Sequence, residues 1–165
     1  MLTFQKVTAP EQIAATASLA HEIWNEFFIH IISQGQIDYM LEKFQSAEAM
    51  TKQLSEGYEY YLFMEGDRPV GYFGVQPQAD NTLYLSKLYL LKARRGKGYA
   101  RQAFEEIKAI AAKKNLKQIW LTVNIHNEET IAVYKRFGMT LLRTQVADIG
   151  NGYVMDDEVY GYDVK

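Results

Sequence analysis

A short basic loop, RRGKGYAR at positions 94–101, places four cations and two glycines within eight residues. The chain as a whole is slightly acidic, with a formal net charge of −2 and an isoelectric point of about 5.9. The loop follows an apolar, strand-like stretch and precedes an amphipathic, helical one. Unpaired N–H groups at a helix start, and glycines that let backbone approach a ligand, favour phosphate or pyrophosphate. We therefore predict that this loop binds a phosphate-bearing ligand.

Two common phosphate-binding motifs do not fit the loop. A mononucleotide P-loop needs Gly-Lys followed by Ser or Thr, whereas Gly98 is followed by Tyr99 and Ala100. A dinucleotide fingerprint needs a third glycine at the position of Arg101. The next strand-like stretch also ends in Thr-Val-Asn, at 122–124, without the acidic residue that binds a ribose. Both motifs are therefore excluded.

Hydrophobic periodicity divides the chain into a mostly helical part, residues 10–56, and a part in which strands dominate. Pro10 begins the helical part, and Ser46 is a predicted N-cap within it. The stretch 82–92 is apolar on both faces, which predicts a central strand. A helix is predicted at 100–114, and a second begins at the N-cap Asn127. The other strands are predicted at 2–7, 58–65, 69–76 and 118–124 and in two C-terminal stretches.

Composition limits the remaining possibilities. The 165 residues, 48% of them hydrophobic, predict a single domain spanning 1–165. No cysteine is present, and His21, His30 and His126 are scattered, so no metal site is expected. We expect a cytoplasmic protein without membrane association, since no apolar run nears about 20 residues and no signal peptide is visible. The net charge argues against nucleic-acid binding.

Residues 95–100, RGKGYA, resemble the R/Q-x-x-G-x-G/A acyl-CoA pyrophosphate motif of the GNAT N-acetyltransferase superfamily. The stretch VNIHNEETIAVYKRFGM, at 123–139, resembles that family's next motif, in which a tyrosine follows an asparagine by seven residues. Residues 10–56 resemble, more weakly, the bacterial spermidine/spermine acetyltransferase branch. The resemblance implies an α/β (α+β) GNAT fold, with helices on both faces of a mixed, mostly antiparallel sheet. That sheet would have six to seven strands, a bulge in the central strand and a V-shaped opening.

The resemblance also implies acetyl-CoA as co-substrate and a role for each motif position. The backbone near Leu88 would polarise the thioester carbonyl, and Tyr134 would protonate the departing thiolate; these two are the predicted catalytic residues. Asn127 would hydrogen-bond the pantetheine arm. The predicted cofactor-binding residues are Leu88, Tyr89, Leu90, Arg95, Gly96, Lys97, Gly98, Tyr99, Ala100, Arg101, Asn127 and Tyr134.

One departure from the family concerns the general base. Many members carry a glutamate on the central strand, where this chain has Ser86 and Lys87, neither of them a good base at neutral pH. Either water relays the proton to a distant acid, or the acceptor amine is weakly basic; the polyamine resemblance argues against the latter. Acceptor-side candidates are Glu22, Glu26, Tyr39, Ser86 and the pair Asp156–Asp157. The two aspartates should point to opposite faces of a strand, which argues against a shared proton.

These observations predict an N-acetyltransferase that moves acetyl from acetyl-CoA to an amine by direct attack in a ternary complex. The acceptor would be a small molecule, such as a polyamine or amino acid, or a peptide. A non-catalytic CoA-binding sensor or regulatory protein is the alternative, since the usual base is missing. A homodimer is a further expectation, because the C-terminal strand could pair with a second copy.

Overall fold

A computed structural model describes residues 2–164 of the chain. Helices and strands alternate much as the periodicity predicts, and the central strand has the predicted position. The helices are α1 (Pro10–Phe27), α2 (Gln34–Phe44), α3 (Ala47–Ser55), α4 (Tyr99–Lys113) and α5 (Glu128–Arg136). The strands are β1 (Leu2–Lys6), β2 (Glu59–Glu65), β3 (Arg68–Pro77), β4 (Thr82–Leu90), β5 (Gln118–Asn124), β6 (Thr140–Gly150) and β7 (Tyr153–Asp163).

The strands form one sheet in the order β1-β2-β3-β4-β5-β7-β6, in which β4 is central. The pairs β1–β2, β2–β3, β5–β7 and β6–β7 are antiparallel, whereas β4 and β5 are parallel. The parallel ladder joins Thr82–Tyr84 to Gln118–Trp120 and ends there. The predicted mixed, mostly antiparallel sheet is confirmed, and the short ladder matches the expected opening.

The chain divides into two compact units, of which the first comprises residues 2–76 and Lys87–Ala103. Pro10 stands at the first position of α1, where its missing N–H costs no hydrogen bond. Ser46 caps α3 as predicted, because its hydroxyl accepts a hydrogen bond from the N–H of Ala49 at 3.1 Å. The core of this unit is rich in aromatic and aliphatic side chains, including Trp24, Ile37, Tyr60, Phe63, Tyr72 and Phe73.

The second unit comprises Pro77–Ser86 and residues 104–164. The predicted N-cap of α5 is confirmed, since the Asn127 Oδ1 accepts a hydrogen bond from the Thr130 N–H at 3.4 Å. Gly138 follows α5 with a φ of 94°, a left-handed conformation that glycine adopts without strain. The core of this unit draws on α4, β5 and β7 and includes Phe104, Ile107, Ile119, Leu121, Val159 and Tyr160.

The position of the last strand corrects one expectation. The C-terminal strand β7 lies between β5 and β6, so both of its edges are paired and it cannot be the edge that meets a second copy. The edge strand of that side is β6, where Leu141, Leu142 and Val146 are exposed. The reason is that the tight turn after Gly150 folds β7 back beside β6. The homodimer itself stays a prediction.

Within the described residues, no helix combines the length and the apolarity needed to cross a membrane. The same residues contain no group of three or more histidine or acidic side chains arranged to hold a metal ion.

Candidate functional site

The glycine loop between β4 and α4 has an open backbone. Gly96 and Gly98 have φ values of 78° and 81°, a region in which other residues are strained. A side chain built at either position would meet no atom within 4 Å, so this backbone borders open space. The first hydrogen bond of α4 runs from the Gln102 N–H to the Gly98 carbonyl, at 3.1 Å. The N–H groups of Tyr99 and Ala100 therefore precede the helical ladder, and the loop fits a pyrophosphate.

Glu65, at the end of β2, holds both sides of this loop. Its carboxylate accepts a hydrogen bond from Arg94 Nε at 2.7 Å and another from the Tyr99 hydroxyl. Both bonds lower the pKa of Glu65, and the bond from Tyr99 has the larger effect. The hydroxyl of the predicted ligand residue Tyr99 is thus directed to the protein, while its N–H stays at the helix start.

The other cations of the loop differ in their surroundings. The Arg95 guanidinium donates a hydrogen bond to the Leu90 carbonyl at 3.1 Å and lies 4.5 Å from the ring centre of Phe27. Lys97 and Arg101 are exposed at the surface. Arg95 therefore has a fixed direction along the loop.

The end of β4, where the resemblance places the pantetheine arm, packs closely against β3. Leu88 and Tyr89 are half-buried and Leu90 is buried. A Cβ at Gly71 of β3 would lie 2.6 Å from the Tyr89 carbonyl oxygen and 2.7 Å from Leu90 Cδ2. Only glycine fits at this position, and a glycine inside a strand pattern is the signal that could have revealed the close approach.

Asn127 and Tyr134, the two remaining predicted cofactor residues, lie at the start and in the last turn of α5. Both are buried, Tyr134 to 7% exposure, and the Asn127 oxygen is engaged in the N-cap. Burial raises the pKa of Tyr134 well above its ordinary value, so the phenol keeps its proton at neutral pH. The structure thus gathers residues 88–101 in the first unit and places Asn127 and Tyr134 on one helix of the second.

Lys87 has an environment that its sequence position did not reveal. The side chain is 5% exposed, and its Nζ donates hydrogen bonds to the Phe44 carbonyl at 2.5 Å, to Gln53 Oε1 at 3.0 Å and to the Tyr60 hydroxyl. Burial lowers the pKa of Lys87 to about 7. At neutral pH Lys87 is therefore less fully protonated than an exposed lysine, because desolvation disfavours the ammonium form.

Three acceptor-side candidates lie at the surface of the first unit. Glu22 is exposed, Glu26 Oε1 accepts a hydrogen bond from the Lys92 N–H at 2.6 Å, and the Tyr39 hydroxyl accepts one from Lys43 Nζ at 3.1 Å. The same unit has a pocket of about 390 Å³. The acidic residues that line this pocket lie on α2 and are not among the predicted candidates. Its lining residues are Ala17, His21, Asp38, Leu41, Glu42, Gln45 and Ser46. The sequence could have indicated that Asp38 and Glu42 line one site, because residues four positions apart on a helix lie on the same face.

The fourth candidate, Ser86, belongs to a polar cluster in the second unit. The hydroxyls of Ser86 and Thr122 lie close enough to the phenol of Tyr84 to lower its pKa, which burial nevertheless raises. Asp157 lies close enough to Tyr84 to raise that pKa further. Asp157 is 4% exposed, and its Oδ1 has no hydrogen-bond partner among the described residues. Burial, and then the charge of Asp156, raise the pKa of Asp157 to about 6.

Comparison with known proteins identifies the family. The model of the acetyltransferase (GNAT) family matches residues 17–139, three quarters of the chain. The chain belongs to this family. A relative from Mycobacterium tuberculosis, named an uncharacterized N-acetyltransferase, is 33% identical over 96 residues, which are 56% of this chain. A protein of that name from Mycobacterium bovis matches equally. The match spans 62% of the length of these curated relatives.

Solved structures of N-acetyltransferases share the fold over nearly the whole chain. The PaiA N-acetyltransferase of Thermoplasma acidophilum, in complex with coenzyme A, has a TM-score of 0.79 at 18% identity and covers 99% of both chains. The ribosomal-protein-S18-alanine N-acetyltransferase of Escherichia coli has a TM-score of 0.75 at 13% identity, over 100% of this chain and 95% of that one. The predicted GNAT fold is thereby confirmed.

Proposed function

We propose that this protein transfers acetyl from acetyl-CoA to an amine of a small molecule or peptide, by direct attack in a ternary complex in the cytoplasm. The observation that carries the proposal is the open glycine loop, in which Gly96 and Gly98 adopt positive φ beside the start of α4. Such a backbone fits a diphosphate, and the chain belongs to a family whose co-substrate carries one. No metal ion takes part in this mechanism.

The roles of the residues follow from the motif and from their surroundings. Acetyl-CoA, when bound, supplies a thioester carbonyl. The backbone N–H near Leu88 would stabilise the oxyanion, a contribution of about 3 kcal/mol for one donor in acyl transfer. Residues 95–101 would hold the phosphates, and Tyr134 would give its proton to the thiolate. Burial keeps the Tyr134 phenol protonated at neutral pH, so that its proton is available for this transfer.

The acceptor is best sought among several chemical classes. A screen of polyamines, amino acids, aminoglycosides and peptides with acetyl-CoA, followed by thiol release, should reveal turnover with one class. Calorimetry with coenzyme A should detect binding by the same preparation. Binding without thiol release for any amine would favour the alternative, a non-catalytic CoA sensor, which the absence of a strand glutamate makes worth testing. Failure to bind coenzyme A at millimolar concentration would refute both functions.

Tyr134→Phe tests the proposed acid. We expect kcat to fall by about 10²-fold or more while KM for acetyl-CoA changes little, because the phenol acts only on the departing thiolate. Steady-state kinetics with the best amine of the screen measure both constants. Tyr153→Phe, at the start of β7, is the matched control and should retain wild-type kcat. A fully active Tyr134→Phe would remove this residue from the mechanism.

A further inference from the structure

Asp157 carries an unsatisfied hydrogen-bond acceptor in the interior of the second unit. The side chain is 4% exposed, and its Oδ1 has no partner in the part of the chain that the structure describes. A buried acceptor without a donor costs about 1–3 kcal/mol, so folding alone gives no reason to keep it there. A ligand that brings an N–H group to this oxygen would supply the missing partner.

The sheet register places Asp157 on a polar face of the second unit. Asp157 of β7 lies opposite Asn124 of β5 and Gln145 of β6, and residues directly opposite each other share a face. Thr122 is two residues from Asn124 and therefore lies on this face as well. Trp120, two residues earlier, stacks on Tyr84 with ring centres 4.3 Å apart.

The chemistry of this face suits an amine. Its groups, which include the Ser86 and Thr122 hydroxyls around the Tyr84 phenol, can accept N–H hydrogen bonds without carrying positive charge. The titratable groups that act on Asp157 are Asp156 on its own strand and Tyr84 on β4. With its pKa at about 6, Asp157 is ionised at neutral pH and still basic enough to take a proton, which is the range expected of a general base.

We propose that Asp157 is the general base that deprotonates the acceptor amine, with Ser86, Thr122 and Tyr84 orienting that amine. The inference rests on the proposed function and deepens it, since it supplies the base that the missing strand glutamate leaves unassigned. An aliphatic ammonium of pKa about 10.4 must lose a proton before its nitrogen can attack. A carboxylate beside it removes the need for a weakly basic acceptor.

The proton balance is complete without another reactant. The ammonium R–NH₃⁺ gives one proton to the Asp157 carboxylate, and the neutral nitrogen then forms the N–C bond to the acetyl carbon. As the C–S bond breaks, the sulfur leaves as thiolate and takes a proton from the Tyr134 phenol. The second proton that the nitrogen loses restores that phenol, and Asp157 returns its proton to water. The products are the N-acetyl amide, coenzyme A and H⁺.

Asp157→Asn keeps the shape of the side chain and removes its basicity. With the best amine of the screen, kcat/KM at pH 7.5 should fall about 10²-fold, while calorimetry should show unchanged binding of coenzyme A. The wild-type rate should decline tenfold per pH unit below about pH 6, as the base becomes protonated. The variant should lack this acidic limb, so the difference between the two proteins narrows toward pH 5.

Glu158→Gln is the matched control, because Glu158 neighbours Asp157 on β7 but accepts a hydrogen bond from the Tyr160 hydroxyl at 2.8 Å. It should stay within about threefold of wild type and keep the acidic limb. A second readout does not depend on turnover: carboxyl ¹³C NMR should show an aspartate titrating near pH 6 that is missing from Asp157→Asn.

The outcomes separate this inference from the proposed function. A wild-type enzyme that turns over while Asp157→Asn retains its rate and its acidic limb overturns the inference and leaves the function standing. The same holds if the NMR titration shows Asp157 ionised throughout the range from pH 5 to 8. A wild-type protein that acetylates no amine overturns the proposed function, and the base with it.

Discussion

Among the described residues, each of the two units buries one side chain that is ordinarily charged at neutral pH, and the hydrogen bonds of the two differ. Lys87 in the first unit is 5% exposed and donates hydrogen bonds to a carbonyl, an amide and a phenol. Asp157 in the second unit is 4% exposed and keeps an oxygen without a partner. Burial alone therefore does not separate a structural group from a reactive one. The hydrogen bonds distinguish the two groups, because a buried group whose hydrogen bonds are all formed within the protein stabilises the fold and needs no ligand as a partner.

The two groups also titrate in neighbouring ranges, for the same physical reason. Burial favours the uncharged form of each, so it lowers the pKa of Lys87 to about 7 and raises the pKa of Asp157 to about 6. The lysine therefore reduces stability when it is protonated, and the aspartate reduces stability when it is ionised. Their pH dependences must have opposite signs, which makes the comparison testable.

The largest expected effect on stability follows from truncating the bonded group. Lys87→Ala removes the donor to Phe44, Gln53 and Tyr60 and leaves space where the aliphatic stem packed. We expect the free energy of unfolding at pH 7 to fall by about 3 kcal/mol, measured by urea denaturation. The exposed Lys113→Ala should change it by less than about 0.5 kcal/mol. A loss below about 1 kcal/mol for Lys87→Ala would show that its hydrogen bonds do not support the fold.

The pH dependence of Lys87 should be the next largest effect. Between pH 7 and about 10 the unfolded lysine is protonated and the folded one is not, so unfolding takes up a proton and stability rises with pH. The contribution of this group should approach about 1.4 kcal/mol per pH unit. Lys87→Met should lack it, and urea denaturation of both proteins at pH 7, 8 and 9 measures the difference. Parallel pH profiles would contradict a lowered pKa.

The smallest effect is expected at the unsatisfied group, with the opposite sign. From about pH 4 to 6 the folded Asp157 holds a proton that the unfolded side chain has lost, so this residue contributes less stability as pH rises. Asp157→Asn should therefore be more stable than wild type by about 2 kcal/mol at pH 8 and nearly equal to it near pH 4, because the pKa of the folded aspartate lies about two units above that of the unfolded one. Thermal unfolding at both pH values checks this. A variant that is less stable at pH 8 would mean that the ionised carboxylate has partners in the fold.

Local patterns in the sequence were sufficient to predict most of the fold. The alternation of apolar and polar residues predicted the strands. Ser46 and Asn127 predicted the starts of two helices, because an N-cap hydrogen bond joins residues only three positions apart. The apolar stretch around β4 gave the central strand. The glycine loop was predicted as an open anion-binding turn, and its positive φ angles agree with that.

The features that were missed depend on residues far apart in the chain. Lys87 owes its lowered pKa to burial in a pocket that includes Phe44 and Gln53, 43 and 34 positions away, and no local pattern reports such a pocket. In the sequence Asp157 is only one of two adjacent acids, and its lack of a hydrogen-bond partner becomes visible only when β5, β6 and β7 are in register. The order of β6 and β7 was missed for the same reason.

The bonds from Glu65 to Arg94 and Tyr99 have a consequence for ligand affinity. These residues flank the two glycines, so the backbone of the loop is restrained at both ends before any ligand arrives. A loop that is already ordered loses less conformational entropy on binding, and more of the attraction to phosphate is retained as affinity. In this way a carboxylate, which would repel a diphosphate if it stood alone, helps the loop to bind one.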